Sequence, residues 1–254
     1  MNVLVCIKRV PAPGARINIT ADGQEVDTSF LGFTMSPHEE CAVEEAVRLV
    51  EKHGGTATVL TLGPAVAEEQ LRYAASLGIK KAVLLPIDGA DWDPQRTARA
   101  IAAAVAGIEA VAGAFDVILF GNESADSGGF QVGVRVAHAL GRPMVNGIKG
   151  IEIEGEAVTA RRPIDAGFEV YELTLPVVLG VKEGINLPRY PTLKGRLDSK
   201  KVAVALVAPD QPAGGQTLVT LQRPTEAASE TIVLGNGPDA AAAVVDVLVE
   251  LGVL

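Results

Sequence analysis

Hydrophobic residues in this chain come in short blocks that alternate with longer stretches of helical period. Asn2 to Ile7 is an apolar block of strand length and predicts a first, buried strand. Lys8 to Leu31 carries Pro11, Pro13, Gly14 and Gly23 and reads as a loop, with a short hairpin around Ala21-Asp22-Gly23. Ser36 to Glu39 marks a helix start: Ser36 can cap free N–H groups, Pro37 suits the first helical position, and Glu39 completes a capping box. That helix places Ala42, Ala46, Leu49 and Val50 on one face and ends at Gly54-Gly55. Thr56 to Leu62 is a β-branched second strand, and Gly63-Pro64 turns into a helix that runs to about Leu77. Lys81 to Ile87 is a third strand, Asp93-Pro94 opens an Ala-rich helix to about Ala112, and Asp116 to Phe120 is a fourth strand. A further helix spans Gln131 to Leu140.

Such alternation implies an α/β fold, a parallel sheet with helices on both faces. Ligands in these sheets bind beyond the carboxyl ends of the strands. Attention therefore falls on Ile7 to Gly14, Leu62 to Ala65 and Gly121 to Gly133. After Leu140-Gly141-Arg142-Pro143 the rhythm changes. Ile148 to Ile153, Ala157 to Arg161 and Phe168 to Leu173 are short strands, expected to pair antiparallel, and Pro176 to Val181 is another apolar strand. Lys182 to Arg196, rich in Gly, Pro and charge, is expected to be an exposed loop. Pro209, Pro212, Gly214 and Gly215 read as a linker, and Gly237-Pro238-Asp239 starts a last helix. That helix is apolar over much of its surface and needs something to pack on, either this domain or a partner chain. The division expected is a domain over 1–207 and an arm over 208–254.

The 254 residues, 48% hydrophobic, suffice for one large α/β domain with or without an arm. Charged residues at 21% exclude a disordered chain or a coiled coil. A formal charge of -9 argues against a nucleic-acid groove, which needs clustered Lys and Arg. The first residues lack the basic stretch of a signal peptide, and no apolar run approaches the ~18 residues of a membrane span. Cys6 and Cys41 lie far apart with no CxxC, so a reducing, cytoplasmic location is the expectation.

Gly121-Asn122-Glu123-Ser124-Ala125-Asp126-Ser127-Gly128-Gly129-Phe130-Gln131-Val132 lies between a strand and a helix. Small residues let backbone N–H groups approach a phosphate there, and the helix start adds partial positive charge. The segment is neither GxGxxG nor a P-loop. Glu123 and Asp126 suit a ribose or a cation, and equally suit a solvated loop. No catalytic constellation is visible: His38, His53 and His138 are the only histidines, metal-ligand spacing is missing, and there is no GxSxG. A nucleotide pocket without an acid/base set points to a carrier or binding subunit.

Three segments together resemble the electron transfer flavoprotein beta family. They are the opening VLVCIKRVP, the helix start SPHEECAVEEAVRL, and RRPIDAGFEVYELTLPVVLGVKEGINLPRYPTLKG from Arg161 to Gly195. The resemblance covers about residues 1–200. It implies a Rossmann-like fold of the adenine nucleotide alpha hydrolase type, paired with an alpha subunit that holds most of the FAD. This subunit would bury AMP as a structural ligand, using Cys6, Ser36, Pro37, His38, Glu39, Leu62 and Gly121 to Val132. Gly128, Gly129, Gln131 and Val132 would offer N–H groups to the phosphate. Phe130 and Val132 stand where many relatives have Asn and Thr, which leaves backbone donors. His38 and Pro13 occupy positions where an aromatic often touches the flavin. The loop 182–196 resembles one that grips partner dehydrogenases, with Leu193 as apolar anchor and Arg189 ordering the loop through a bond to its own base. Arg162 and Asp165 would lie at the subunit interface, and the C-terminal arm on the partner subunit.

Electrons would then pass from flavin dehydrogenases to a quinone oxidoreductase or similar acceptor. An alternative is an electron-bifurcating relative that binds a second FAD in place of AMP and oxidises NADH. A nucleotide-binding sensor or stress-type protein on a similar sheet is a third reading, against which the Arg161 to Gly195 segment argues.

Overall fold

The computed structural model describes residues 1–89, 91–210, 215–224 and 231–254. It contains two compact units, Met1–Thr220 and Leu221–Leu254. Pro212 and Gly214 of the expected linker lie outside the described residues.

Strand β1 (Asn2–Ile7) opens the larger unit, and its side chains alternate between two cores. Val3, Val5 and Ile7 enter one, Leu4 and Cys6 the other. Four two-residue strands follow: β2 (Val10–Pro11), β3 (Asn18–Ile19), β4 (Val26–Asp27) and β5 (Phe33–Thr34). β3 pairs antiparallel with β4, closing the expected hairpin around Asp22. β2 pairs with β5 and so returns the chain to α1 (Pro37–His53). Then come β6 (Thr56–Gly63), α2 (Glu68–Ser76), β7 (Lys81–Pro86), α3 (Pro94–Ala112), β8 (Val117–Gly121) and α4 (Val132–Ala139), in the order the apolar pattern predicts. The start of α3 shows why: the Asp93 carboxylate accepts the N–H of Gln95 and Arg96, and Pro94 sits at the first position.

Beyond α4 lie β9 (Met144–Ile148), β10 (Gly150–Glu154), β11 (Ala157–Ile164), β12 (Gly167–Thr174), β13 (Val177–Val181), α5 (Leu193–Ser199) and β14 (Val204–Leu206). β10, β11 and β12 form the expected antiparallel sheet. The single strand expected from Ile148 to Ile153 is instead two, split at Lys149. β9 belongs to the main sheet, and its Asn146-Gly147 pair, which reads like a turn, is accommodated with Gly147 at φ 72°. The expected loop over 182–196 also gives way to helix at Leu193, because the Thr192 side chain caps the Gly195 N–H.

The main sheet has seven strands in the order β14-β7-β6-β1-β8-β13-β9, and all six pairings are parallel. α1 and α2 cover one face, α3 and α4 the other. Leu4, Leu60, Ile118 and Leu119 are fully buried between them, and each such side chain contributes about 1.5–3 kcal/mol. β1 has β6 on one side and β8 on the other. The chain leaves β1 for α1 on one face and leaves β8 for α4 on the opposite face. Such a switch point opens a crevice above their carboxyl ends. In the smaller unit a 3₁₀ turn, Gly237–Ala240, leads into α6 (Ala241–Glu250), in which no residue is buried. No helix among the described residues is long and apolar enough to cross a membrane.

Candidate functional site

The start of α1 forms one wall of the crevice. Ser36 is extended, and its Oγ accepts the Glu39 N–H at 3.3 Å. One Glu39 oxygen accepts the Ser36 N–H at 3.2 Å, which completes the capping box. The other accepts the Lys8 N–H at 2.9 Å, so this one carboxyl ties the helix start to the chain leaving β1. Burial lifts the Glu39 carboxyl from the ordinary carboxylate range to about 8, against the opposing pull of these N–H groups and the Lys8 charge. The Cys6 thiol, at the end of β1, is also pushed up, by burial and then by Glu39. It is therefore a packing group rather than a nucleophile.

Gly121 makes the wall possible. A Cβ there would sit 2.7 Å from Glu39 Cγ, 3.2 Å from the Glu39 backbone nitrogen and 3.3 Å from His38 Cβ. The end of β8 thus touches the first turn of α1 because position 121 has no side chain. Ser36 Oγ also donates to the Glu123 carbonyl at 3.4 Å. His38 accepts the Glu183 N–H on Nδ1 at 2.8 Å, which leaves the proton on Nε2, 3.4 Å from a Glu123 carboxylate oxygen.

The opposite wall is the segment from β8 to α4. The Gly128 N–H is taken by the Ser124 carbonyl at 2.9 Å, and Ser124 Oγ lies 2.7 Å from Ser127 Oγ. Gly128 and Phe130 both have left-handed backbone, at φ 54° and 53°, on either side of Gly129. No other non-glycine residue described has positive φ. Such alternation curls successive N–H groups into a concavity that suits an anion. The N–H groups of Gly129, Phe130, Gln131 and Val132 have no partner among the described residues, and no side chain caps α4. The Gln131 side chain is turned away, its oxygen held by Arg135 at 3.0 Å. Leu62, near the end of β6, packs with Cys6 against the α3 and α4 core.

The structure thus places Cys6, Leu62 and Gly121 at the carboxyl ends of β1, β6 and β8, Ser36 to Glu39 at the start of α1, and Asn122 to Val132 on the segment that leads into α4. Of the four N–H groups expected to face a phosphate, that of Gly128 is already paired. The sequence did not reveal Lys8. Its ammonium bridges Asp126 at 2.5 Å and Asp91 at 2.9 Å, joining the segments after β7 and β8 above the end of β1. Burial opposes that charge, but the two carboxylates outweigh it and raise the Lys8 pKa. A lysine closing an apolar strand was the signal available.

Arg189 does not bond to the base of its own loop. Its partners are Glu44 and Glu51 on α1, at 2.8 and 2.7 Å. Leu193 is the first residue of α5 and is exposed. Arg162 pairs across its hairpin with Glu169 and Tyr171.

A family model described as "Electron transfer flavoprotein domain" matches residues 26–212, well over half of the chain. The chain belongs to the electron transfer flavoprotein family. It is 34% identical over 248 residues to the electron transfer flavoprotein subunit beta of Mycobacterium tuberculosis, spanning 91% of this chain and 92% of that protein. It is 37% identical over 212 residues to the subunit of the same name from Syntrophomonas wolfei, across 82% and 80%. With that of Bacillus subtilis it shares 35% over 202 residues, across 79% and 76%. The electron transfer flavoprotein match begins inside the hairpin at β4, so α1, the β8–α4 segment and the Arg189 loop all lie within it. β1 and Lys8 lie before it.

Proposed function

We propose that this chain is the beta half of a heterodimeric electron transfer flavoprotein, with AMP in the crevice and FAD held mainly by an alpha subunit. The observation that carries this reading is the row of unpaired N–H groups from Gly129 to Val132, between the left-handed residues and the start of α4. Buried or curled N–H groups of this kind want an anion, and a phosphate at the switch point of a parallel sheet satisfies them. Leu62 and the first turn of α1 then flank the base and sugar.

FAD would supply the redox chemistry. Toward it this chain offers the ring face of His38, since both ring nitrogens are already engaged. The outer hairpin leaves Ile164, Phe168 and Val170 exposed, a patch that suits a permanent partner. In this proposal the alpha subunit covers that patch, and the arm over 208–254 packs on the alpha subunit. Electrons enter from flavin dehydrogenases that dock at the loop over 182–196, with Leu193 as anchor, and leave to a quinone oxidoreductase or similar acceptor. Two free, buried cysteines fit a reducing cytoplasm.

The test is to purify the chain with its alpha subunit, denature the pair, and quantify what is released. One AMP and one FAD per heterodimer are expected. Two FAD and no AMP would assign the chain to the bifurcating relatives. One FAD and no AMP would overturn the crevice assignment.

A further inference from the structure

Glu44 is the second buried carboxylate of α1, and the crevice does not use it. Its side chain is 3% exposed. One oxygen accepts the Arg189 backbone N–H at 3.1 Å and Nε at 2.8 Å. The other accepts Arg189 Nη2 at 3.1 Å and Arg48 Nε at 2.8 Å. These bonds hold Glu44 below the ordinary carboxylate range although burial alone would raise it. Glu51, two turns further along α1, takes the outer edge of the same guanidinium at 2.7 and 2.9 Å. Closer to the helix start, Asn186 Nδ2 donates to the Cys41 carbonyl and to Glu45, each at 3.0 Å.

The segment is therefore laid along α1 by its polar groups, and its apolar side chains are forced outward. Leu187 is 85% exposed, Tyr190 92% and Leu193 77%. Large apolar side chains held out on an ordered backbone bind with little ordering cost. A bidentate guanidinium–carboxylate pair with one member buried is the part of this arrangement that fixes direction as well as distance.

We propose that Glu44 is a positioning residue for partner docking: its buried carboxylate fixes Arg189 and thereby the outward presentation of Leu187, Tyr190 and Leu193. This rests on the docking reading of the loop. Hydrogen exchange on the full-length chain tests the first half. Glu44→Gln should speed exchange of the Arg189 amide at least tenfold and leave the central strands unchanged. Glu51→Gln, which removes only the exposed partner, should change it less than threefold. Arg189→Gln should reproduce the local release from the other side, and the double variant should add nothing further. Unchanged exchange in Glu44→Gln, or acceleration spread evenly over the whole chain, overturns the positioning role.

Steady-state reduction of the assembled pair by a flavin dehydrogenase from the same cells tests the second half. Glu44→Gln should raise KM about tenfold with kcat retained, and an unchanged KM despite a released loop overturns the proposal. The docking reading itself fails separately, if Leu193→Ala leaves that KM unaltered.

Discussion

Glu39→Gln probes the join between β1 and α1 in two ways at once. The carboxyl accepts N–H groups on both oxygens, from Lys8 at 2.9 Å and Ser36 at 3.2 Å. Glutamine keeps one acceptor and turns an NH₂ donor toward the other N–H. One buried donor is left unsatisfied, at a cost of about 1–3 kcal/mol. The second signature is pH. Burial raises the Glu39 pKa from 4.5 to about 8, so the folded protein binds this proton more tightly than the unfolded chain does. The stability it contributes is full below the unfolded value and is lost as pH rises through the folded one. Three to four decades of proton affinity correspond to about 5 kcal/mol. Urea unfolding of both proteins between about pH 5 and pH 9 measures the difference, and subtraction cancels the other titrating groups. Wild type should be the more stable by about 1–3 kcal/mol at the acidic end, lose that advantage between about pH 5 and pH 7, and lie below the variant from there upward, with the difference level above about pH 8. Parallel stability curves across the window would refute the reasoning.

Gly121→Ala should cost about 1–3 kcal/mol, because the new methyl meets the Glu39 backbone as well as its side chain. It should also weaken AMP binding at least tenfold by calorimetry, and wild-type affinity would show that the α1 wall is not needed. Phe130→Gly should leave AMP affinity within about threefold, since it keeps the N–H and relieves about 1 kcal/mol of left-handed strain. Phe130→Pro removes that N–H and locks φ near −65°. It should cost tenfold or more in affinity, and binding equal to wild type would exclude the Gly129 to Val132 row as the phosphate site.

Local patterns carried much of the architecture. The capping box at Ser36, the Asp93-Pro94 start and the β-branched run from Thr56 are short-range signals, and each produced the element it implies. The bias of small residues from Gly121 onward likewise marked the turn that joins β8 to α4. What stayed hidden depends on distant partners. Lys8 meets residues 83 and 118 positions away, and Arg189 meets Glu44 across 145; no periodicity encodes such pairings. Asn146-Gly147 inside β9 imitates a turn, and only the neighbouring β13 overrides it. The left-handed φ at Phe130 was equally invisible, because aromatic residues give no hint of that backbone.

The strand order has a bearing on biosynthesis. β14 closes one edge of the sheet by pairing Val204 to Leu206 with Ala82 to Leu84, segments made some 120 residues apart. During synthesis the edge of β7 stays unpaired until the chain has been made as far as Leu206, open to mispairing with neighbouring nascent chains. A stop codon placed just before Val204 would leave that edge permanently bare, whereas one placed after residue 220 would spare the entire seven-stranded sheet.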